Sequence, residues 1–494
     1  MKIAMGQMRT KAGYIDENLK TMKRMIDDAI LKGAELIIFP EMCVTGYLVS
    51  DKYLQRGFIE EALNANESLK SYSEKIGIIW GNIGVDDDFK NRDGRYERRN
   101  QAYFAYEKKW VKANHHWHDG IYVKHGLPDY RIFDDSRYFK SGIDVSLEHG
   151  FDDTALIEPF YFKGQRIGLE VCEDLWSQDY RLDPTSIYIQ KGVDFIVNIS
   201  SSPWTLYKEN SRNKRILEHV LKNGDKMVPL IYVNVCGAQN NGKNLMIFDG
   251  GSTVFSKEGQ VLSACNDAFS EELKIVDCYT QEKINMSSNK LLKGIVEGIR
   301  CFDEEILGKR NWVIGLSGGI DSSVNAALLV LALGSDRVFG YNMASKYNSQ
   351  KTISVAKHLS EKLKISYAEG SIESLVKSTH ETLESYGFEK MESGLNAENI
   401  QARLRGHLLS SFASLKSGVI CNNGNKVELA LGYATLYGDT IGALSPMGDL
   451  TKVQIFDLAQ EINDCFEDEI IPHSLIPKFI DGQYVFELPP SAEL

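Results

Sequence analysis

The chain has 494 residues, of which 43% are hydrophobic, and 56 Lys and Arg against 68 Asp and Glu give it a formal net charge of −12. This length exceeds what one hydrophobic core usually serves, so two or three domains are expected. The acidic balance argues against a dedicated nucleic-acid or membrane-surface protein. No apolar run of about eighteen residues and no leader-like start occurs, so we expect a cytoplasmic protein whose cysteines are reduced thiols.

Strand-like and helix-like runs alternate through the first half of the chain. The sequence predicts a strand at residues 3–8, a helix over 17–31 and a buried strand at 35–39. Later in this half, apolar strands and one polar helix are predicted at 76–85, 166–171, 194–199, 230–235 and, for the helix, 210–223. This alternation predicts a mixed sheet layered by helices.

Three reactive side chains follow apolar runs in this half, namely Glu41, Lys124 and Cys172. Taken singly, each has an ordinary explanation: a solvated carboxylate, a surface lysine or a buried inert thiol. Together they supply what amide hydrolysis needs, because a thiol attacks, a carboxylate moves its proton and a cation stabilises the oxyanion.

This conjunction resembles the nitrilase superfamily, whose fold is an α-β-β-α sandwich, and in particular its glutamine-hydrolysing branch. The resemblance implies that Glu41 is the general base, Lys124 the oxyanion stabiliser and Cys172 the nucleophile that forms a glutamyl thioester. It also implies that the backbone N–H of Glu173 completes the oxyanion hole. The local sequences that strengthen the resemblance are Gly46-Tyr47, residues 137–139 and residues 248–252.

Residues 198–204, followed by Lys208 and Arg212, match the pattern that holds the amino-acid part of glutamine in this branch. The residues implied to contact glutamine are Tyr130, Ser202 and Lys208. A loop whose serines are merely polar is the alternative. Tyr207 departs from the family pattern, because glycine usually stands at that place.

Three histidines, His115, His116 and His118, form a cluster that could suggest a metal site. Nothing at matched spacing completes a coordination shell, so we expect solvated or hydrogen-bonded loop histidines and no metal there.

A glycine-rich stretch at residues 315–323 lies between an apolar run at 312–314 and an apolar stretch at 324–333. A strand, a tight turn and a helix are predicted. Two adjacent glycines allow close approach of a ligand, and N–H groups beside a helix N-terminus form a partly positive site for phosphate. No Lys-Ser or Lys-Thr follows the last glycine, so this is not a Walker A loop. A plain glycine turn is the alternative.

Residues 317–323, Ser-Gly-Gly-Ile-Asp-Ser-Ser, resemble the pyrophosphatase loop of the adenine-nucleotide alpha-hydrolase enzymes, which split ATP into AMP and pyrophosphate. The resemblance implies a doubly wound parallel sheet in this half, and the predicted strands at 338–341 and 365–368 around a helix at 351–363 agree with it. The residues implied to bind ATP are Gly315, Leu316, Ser317, Gly318, Gly319, Ile320, Asp321, Ser322 and Asn423.

Polar residues are dense beside glycines at 396–406, 424–428 and 432–439. With residues 489–494, these stretches resemble NAD+ synthetase, and nearly the whole chain resembles the glutamine-dependent NAD+ synthetases. That resemblance implies that ATP adenylates deamido-NAD and that ammonia, freed from glutamine by Cys172, displaces AMP. It implies Mg²⁺ on Asp321 and Glu428. The residues implied to face deamido-NAD are Asn399, Arg403, Glu428 and Tyr433.

Some positions depart from that family, because Ala344, Val355 and Asn423 stand where proline, aspartate and threonine are usual. Relatives also continue past residue 494 with a lid-like segment, so a more open dinucleotide site is expected. An amide ligase of the same architecture acting on another carboxylate is therefore the alternative. A non-catalytic scaffold is a weaker rival, because it would be expected to lose Glu41, Lys124 or Cys172.

The polar segment at 271–289 predicts the domain boundary, with a glutamine amidohydrolase domain at 1–270, a linker at 271–289 and an ATP-pyrophosphatase domain at 290–494. The expected ligands are the small molecules glutamine, ATP and deamido-NAD, with no nucleic acid and no membrane. We expect a homo-oligomer, at least a dimer, because the synthetase family pairs through its ATP domain. The apolar helix at 404–415 is the candidate contact surface.

Overall fold

The computed structural model describes residues 1–91, 94–114, 117–240, 245–282, 290–346, 350–389, 393–480 and 482–487. The chain divides into two compact units, Met1–Lys290 and Leu291–Leu494. Within the described ranges, no helix combines the length and the hydropathy needed to cross a bilayer.

The first unit is built from strands and helices in alternation. Its strands are β1 Ile3–Gln7, β2 Leu36–Ile38, β3 Gly77–Lys90, β4 Tyr96–Tyr106, β5 Lys109–Trp110, β6 Ile121–Val123, β7 Phe160–Phe162, β8 Gln165–Val171, β9 Phe195–Ser200, β10 Leu230–Asn234, β11 Cys236–Asn240, β12 Leu245–Asp249, β13 Thr253–Phe255, β14 Val261–Ala264 and β15 Glu272–Val276. Its helices are α1 Ile15–Leu31, α2 Arg56–Tyr72, α3 Asp135–Tyr138, α4 Gly142–Glu148, α5 Pro184–Gln190 and α6 Lys208–Asn223.

Two sheets form the centre of this unit. One has the order β15-β1-β2-β3-β4-β5, with β6 paired to β4, and the other has the order β14-β13-β10-β9-β8-β7. Strands β1, β2 and β3 run parallel, as do β8, β9 and β10. The carboxyl ends of parallel strands therefore collect at one edge of each sheet, where ligands of such sheets usually bind.

Side chains alternate across these strands, as the two-residue period of a strand requires. Ile3 and Met5 of β1 pack into the core between the two sheets. Ala4, the residue between them, packs instead with Met22 and Met25 of α1. Helices α1 and α2 cover the first sheet, and α5 lies against β8 of the second. This is the α-β-β-α sandwich expected from the sequence.

The predicted linker at 271–289 needs correction at its start. Residues Glu272–Val276 form β15, which pairs antiparallel with β1 at the edge of the first sheet. Its polar composition suggested a linker, but an edge strand with one half-exposed face carries polar residues as well. The rest of the segment, from residue 283, lies outside the described residues.

The second unit contains a parallel sheet of order β18-β17-β16-β19. Its described strands are β16 Asn311–Gly315, β17 Val338–Ala344, β18 Ser366–Ser371, β19 Gly418–Ile420, β20 Lys478–Ile480 and β21 Gln483–Val485, the last two forming a separate hairpin. Its described helices are α7 Lys290–Cys301, α8 Ile320–Leu333, α9 Gln350–Leu363, α10 Glu373–Ser385, α11 Leu395–Leu415, α12 Lys426–Leu431 and α13 Lys452–Phe466.

Helices cover both faces of this sheet. Trp312 and Ile314 of β16 pack into a core with residues of α7, α8, α9 and α13. On the opposite face, the ring of Tyr341 in β17 stacks on Phe412 of α11 with centroids 4.1 Å apart. The second unit therefore has the doubly wound architecture expected from the sequence.

Candidate active sites

Lys124 lies at the centre of a buried charged trio in the first unit. Its Nζ is 2.8 Å from Oε1 of Glu41 and 2.8 Å from Oδ2 of Asp135. Glu41 follows β2, Lys124 follows β6 and Asp135 begins α3, so three separate segments deliver the charges. The three side chains are between 0% and 5% exposed, which excludes water from the ion pairs.

Burial alone would lower the pKa of Lys124, but the negative charges of Asp135 and Glu41 outweigh it and raise that pKa well above its ordinary value. Lys124 is therefore a permanent cation at neutral pH. Asp135 also accepts a hydrogen bond from the hydroxyl of Tyr47, whose ring lies under the Lys124 ammonium at 5.6 Å. The trio carries one net negative charge.

Glu41 accepts hydrogen bonds on both carboxylate oxygens. Oε1 receives Nδ2 of Asn100 at 2.7 Å in addition to Lys124, and Oε2 receives the backbone N–H of Ser201 at 2.7 Å. The backbone carbonyl of Glu41 accepts the Ser201 hydroxyl at 2.7 Å. The carboxylate is thus held in one orientation, as a general base must be.

Cys172 is the residue directly after β8 and begins a short 3₁₀ helix, Cys172–Asp179. Its φ of +47° lies in the left-handed region, which is uncommon for non-glycine residues. Burial raises the pKa of its thiol well above the ordinary value, Glu41 raises it further, and Lys124 lowers it. The thiol is therefore protonated at rest and requires a base, and Glu41 is close enough to act on its pKa.

Asp174 ties the Cys172 turn to the segment that follows Lys124. Its Oδ1 accepts the backbone N–H groups of His125 and Gly126 at 2.9 and 2.8 Å, and its Oδ2 accepts the N–H of Val171 at 3.0 Å. Burial raises the pKa of Asp174 to about 6, against the effect of these hydrogen bonds. The Asp174 carboxylate therefore fixes the turn at Cys172 relative to the segment that carries Lys124.

The side chain of Glu173 is also part of this site. Both of its carboxylate oxygens accept the Tyr130 hydroxyl at 3.2 Å, and Oε1 accepts the Tyr180 hydroxyl at 3.2 Å. Burial raises the pKa of Glu173 to about 7, although Lys124 and the two tyrosines lower it. Tyr130, which is 48% exposed, thus contacts the residue that directly follows Cys172.

Three serines at the end of β9, Ser200, Ser201 and Ser202, differ in whether their hydroxyls are hydrogen-bonded within the protein. The Ser200 hydroxyl donates to Oδ1 of Asn198 at 2.8 Å, and that of Ser201 donates to Glu41. Within the described part of the chain, the hydroxyl of Ser202 has no hydrogen-bond partner, while its backbone N–H donates to Asn234 at 2.9 Å. Of the three, Ser202 alone keeps its hydroxyl available for a ligand.

Lys208 begins α6. Its Nζ lies 4.8 Å from the ring centroid of Trp176, which belongs to the 3₁₀ helix Cys172–Asp179. Burial lowers the pKa of Lys208, and Arg212 lowers it further. Tyr207, just before it, has a φ of +65°, the conformation that the glycine usual in the family adopts without strain. The tyrosine therefore keeps the expected backbone, with its side chain 68% exposed.

In the second unit, the glycine loop links β16 to α8 as predicted. Gly318 has a φ of +84°, and a Cβ there would lie 2.0 Å from the carbonyl oxygen of Thr352. The Ser322 and Ser323 hydroxyls both donate to the carbonyl of Gly319, at 3.0 and 2.8 Å. The hydroxyl of Ser322, a residue expected to bind ATP, is therefore bonded within the loop, as is that of Ser323. Only glycine fits at position 318.

Asp321 and Glu428 share a neighbour, Asn425. The Asn425 Nδ2 donates to Oδ1 of Asp321 at 3.2 Å, and the Asn425 backbone N–H donates to Oε2 of Glu428 at 2.8 Å in a capping box at the start of α12. Lys452, at the start of α13, places its Nζ 2.6 Å from Oδ2 of Asp321. Asp321 is thus paired with the Lys452 ammonium, and Asn425 connects it to Glu428.

Asn423, which replaces the usual threonine, has both ends of its amide bonded within the protein. Its Nδ2 donates to the carbonyl of Gly315 at 2.8 Å, and its Oδ1 accepts Nδ2 of Asn325 at 3.2 Å. A threonine hydroxyl has a single donor and a shorter reach. Gly315, Leu316, Ser317 and Asn423 line a cavity of about 410 Å³ beside α11, and Arg405 and Asp439 also line it.

Asn399 and Arg403 lie one turn apart on α11 and both contact the loop that follows α12. Asn399 Oδ1 accepts the Thr435 hydroxyl at 2.6 Å, and Arg403 Nε donates to the carbonyl of Leu436 at 3.2 Å. Tyr433 in that loop is 57% exposed. These residues form one surface, although several of their polar groups are already used within the protein.

Two sequence expectations concern residues beyond the described ranges. His115 and His116 of the histidine cluster lie outside them, and so do residues 489–494 of the C-terminal stretch. In the ranges that are described, no three His, Cys, Asp or Glu side chains meet as a metal cluster.

Sequence reasoning missed Asp135, Asn100 and Lys452. Asp135 and Asn100 stand in no motif, and only folding brings them to Lys124 and Glu41. Lys452 did carry a signal, because a cation in the first turn of a helix is unfavourable against the helix dipole and suggests a specific partner. The partner is Asp321.

Comparison with known proteins identifies the family of each unit. Residues 2–282 match the family profile described as carbon-nitrogen hydrolase, and residues 297–494 match the one described as NAD synthase. A glutamine-dependent NAD(+) synthetase of Synechocystis sp. is 32% identical over 513 residues, covering 100% of this chain and 84% of the relative. One from Acinetobacter baylyi is 29% identical over 504 residues, covering 100% of this chain and 83% of the relative.

A solved structure extends this likeness to the fold. The glutamine-dependent NAD+ synthetase from Acinetobacter baumannii, determined in complex with adenosine diphosphate, has a TM-score of 0.82 and 29% identity, covering 96% of this chain and 84% of that one. With a carbon-nitrogen hydrolase unit followed by an NAD synthase unit over its whole length, the chain belongs to the family of glutamine-dependent NAD+ synthetases.

Proposed function

We propose that the chain makes NAD+ from deamido-NAD, with ATP as the activating substrate and glutamine as the source of ammonia. The observation that carries this proposal is the assembled set of Glu41, Lys124 and Cys172 in a chain whose second unit presents a glycine loop beside Asp321. One site releases ammonia from an amide, and the other handles a polyphosphate. Only a reaction that needs both explains their presence in one chain.

In the first unit, Glu41 takes the proton of the Cys172 thiol as sulfur attacks the glutamine amide carbon. The same carboxylate then protonates the leaving ammonia and later activates the water that hydrolyses the thioester. Lys124 stays protonated throughout, because its pKa is raised well above the ordinary value, and it stabilises the oxyanion.

The amino-acid end of glutamine carries an ammonium and a carboxylate, and the site offers a partner for each. The Glu173 carboxylate, oriented by Tyr130, suits the ammonium, and the Lys208 cation with the open Ser202 hydroxyl suits the carboxylate. Charge complementarity therefore favours glutamine over a simple amide.

In the second unit, the glycine loop binds the phosphates of ATP, and Lys452 neutralises charge that develops on the leaving pyrophosphate. Asp321 and Glu428 suit Mg²⁺, since this ion is usually held by one or two carboxylates together with substrate phosphates. When bound, Mg²⁺ withdraws charge from the phosphate oxygens. The surface of Asn399, Arg403 and Tyr433 is assigned to deamido-NAD.

The test incubates the protein with ATP, deamido-NAD and either glutamine or ammonium at high pH, and measures NAD+ by mass. Cys172→Ala should lose the glutamine-driven reaction and keep the ammonium-driven one, because only the nucleophile is removed. Asp321→Ala should lose both. Ammonium-driven synthesis lost in a folded Cys172→Ala protein would overturn the two-site mechanism. An amide ligase acting on another carboxylate would instead consume ATP only when that carboxylate replaces deamido-NAD.

We also infer a homo-oligomer, at least a dimer, in the cytoplasm. Leu404 and Leu408 of α11 are half-buried and Leu415 is 81% exposed, so an apolar edge of this helix remains after Leu409 and Phe412 have packed on the sheet. The eight free cysteines suit a reducing compartment. A monomer mass that is independent of concentration in light scattering would refute the dimer.

A further inference from the structure

Asn234, the last residue of β10, is fully buried at 0% exposure. Its side-chain amide bonds both backbone groups of one residue, Ser202. The Ser202 N–H donates to Oδ1 of Asn234 at 2.9 Å, and Nδ2 of Asn234 donates to the Ser202 carbonyl at 3.2 Å. Two bonds from one planar amide fix the orientation of Ser202, whereas a single bond would let it rotate.

The Asn234 amide is also linked to α6, through Asp249 and Arg212. Asn234 Nδ2 is 3.4 Å from Oδ1 of Asp249, and that oxygen is 3.3 Å from the guanidinium of Arg212. Arg212 is 3% exposed and also donates to the carbonyl of Gly251 at 3.0 Å. Arg212 lies about one turn after Lys208 on α6. Asn234 therefore connects the Ser202 backbone to the helix that carries Lys208.

The contacts of Ser201, the residue before Ser202, show that Asn234 does not hold the catalytic groups. Ser201 is held by Glu41, not by Asn234, and the contacts of Asn234 lead to Ser202, Asp249 and the Ser252 hydroxyl. Among the described residues, Asn234 makes no hydrogen bond with the Cys172 thiol or with Lys124. Asn234 is therefore expected to affect the position of the substrate.

We propose that Asn234 is a positioning residue that selects for the amino-acid end of glutamine. It holds the Ser202 hydroxyl and, through Asp249 and Arg212, the start of α6 with Lys208 in one arrangement. This proposal rests on glutamine hydrolysis as the function of the first unit. Because the contacts it supports are made equally in the ground state and the transition state, their loss raises KM for glutamine and leaves kcat nearly constant.

The experiment uses the full chain with Asn234→Ala and Asn234→Asp. Alanine leaves the buried Ser202 N–H without its acceptor, whereas aspartate keeps an acceptor there and turns an oxygen towards the Ser202 carbonyl and Asp249. KM for glutamine should rise by about tenfold in both variants, since an unmade buried hydrogen bond has an effect of that order. Asn223→Ala is the matched control, because it removes an amide that bonds Ser186 and the carbonyl of His219 at the far end of α6.

Three further measurements separate positioning from a general loss of structure. The rate at which iodoacetamide alkylates Cys172, followed by the mass of its peptide, reports the nucleophile. NAD+ synthesis from ammonium reports the second unit, and thermal unfolding reports stability. If Asn234→Ala does not fold, Asn234→Asp carries the test, since it keeps the volume and one of the two bonds to Ser202.

A raised KM with kcat within about threefold of wild type and an unchanged alkylation rate would support the proposal. A fall in kcat at constant KM, a slower alkylation, or kinetics equal to those of the Asn223→Ala control would overturn it. Wild-type protein that releases no ammonia from glutamine would refute the proposed function instead, so the two failures are distinguishable.

Discussion

Replacing Glu41 with glutamine tests the catalytic assignment with the smallest change in shape. Glu41 accepts three hydrogen bonds, from Lys124, from Asn100 and from the backbone of Ser201. A glutamine side chain can accept at one end only, so its amide nitrogen must face at least one of these donors. The unmade bond in a site with 0% exposure should lower the free energy of unfolding by about 1–3 kcal/mol.

The charge balance explains why Glu41→Gln should still fold. Lys124 keeps Asp135 at 2.8 Å, so the buried ammonium remains paired and the trio changes from one net negative charge to none. The catalytic loss should be much larger than the loss of stability, because proton transfer is typically worth about 10²- to 10⁴-fold. At 1.36 kcal/mol for each factor of ten, this is about 2.7–5.4 kcal/mol of activation free energy.

The assay is ammonia release from glutamine, compared with NAD+ synthesis from ammonium and with thermal unfolding of the same preparation. The matched control is Glu74→Gln, which makes the same chemical change in an exposed pair with Lys108, with 3.0 Å between Nζ and Oε2. The control should match wild type in all three measurements. A folded Glu41→Gln protein that loses less than about tenfold in kcat for glutamine would refute Glu41 as the general base.

Two further predictions concern single residues of the two sites. Gly318→Ala should weaken ATP binding by at least about tenfold in calorimetry, because its Cβ would meet the Thr352 carbonyl in a left-handed turn, whereas Gly370→Ala, with open space around it, should not. An unchanged dissociation constant would contradict the loop assignment. KM for glutamine should rise as the pH falls through the Glu173 pKa of about 7, because the protonated carboxyl no longer attracts the substrate ammonium. In Glu173→Gln this pH dependence should disappear, and its persistence would assign the titration to another group.

Most of the fold could be predicted from hydrophobic periodicity. The helix predicted at 17–31 is α1 Ile15–Leu31, and the strand predicted at 166–171 is β8 Gln165–Val171, because buried strands and amphipathic helices each leave a regular pattern. The edge strand β15 was missed, because a strand paired on one side only is polar enough to resemble a linker.

Some residues of the site could be predicted from the sequence, and others could not. Motifs predicted Glu41, Lys124 and Cys172 as catalytic residues, because these reactive residues follow strands in short recognisable sequences. Asp135 and Asn234 could not be found this way, since their contacts with Lys124 and Ser202 join separate elements and leave no local sequence pattern. A single asparagine or aspartate at a strand or helix end has many ordinary roles, and only its partners distinguish them.

The turn after β9 has a consequence for the length of the amide that the enzyme accepts. Ser201 donates its N–H to Glu41, and the next residue, Ser202, is the proposed contact for the far end of the substrate. Their α-carbons are separated by one peptide unit, about 3.8 Å. The contact of Glu41 and the residue proposed to bind the far end of the substrate are therefore only one peptide unit apart. Asparagine, which is one methylene shorter than glutamine, should therefore fit less well between them, and such a difference typically discriminates by about 10- to 200-fold.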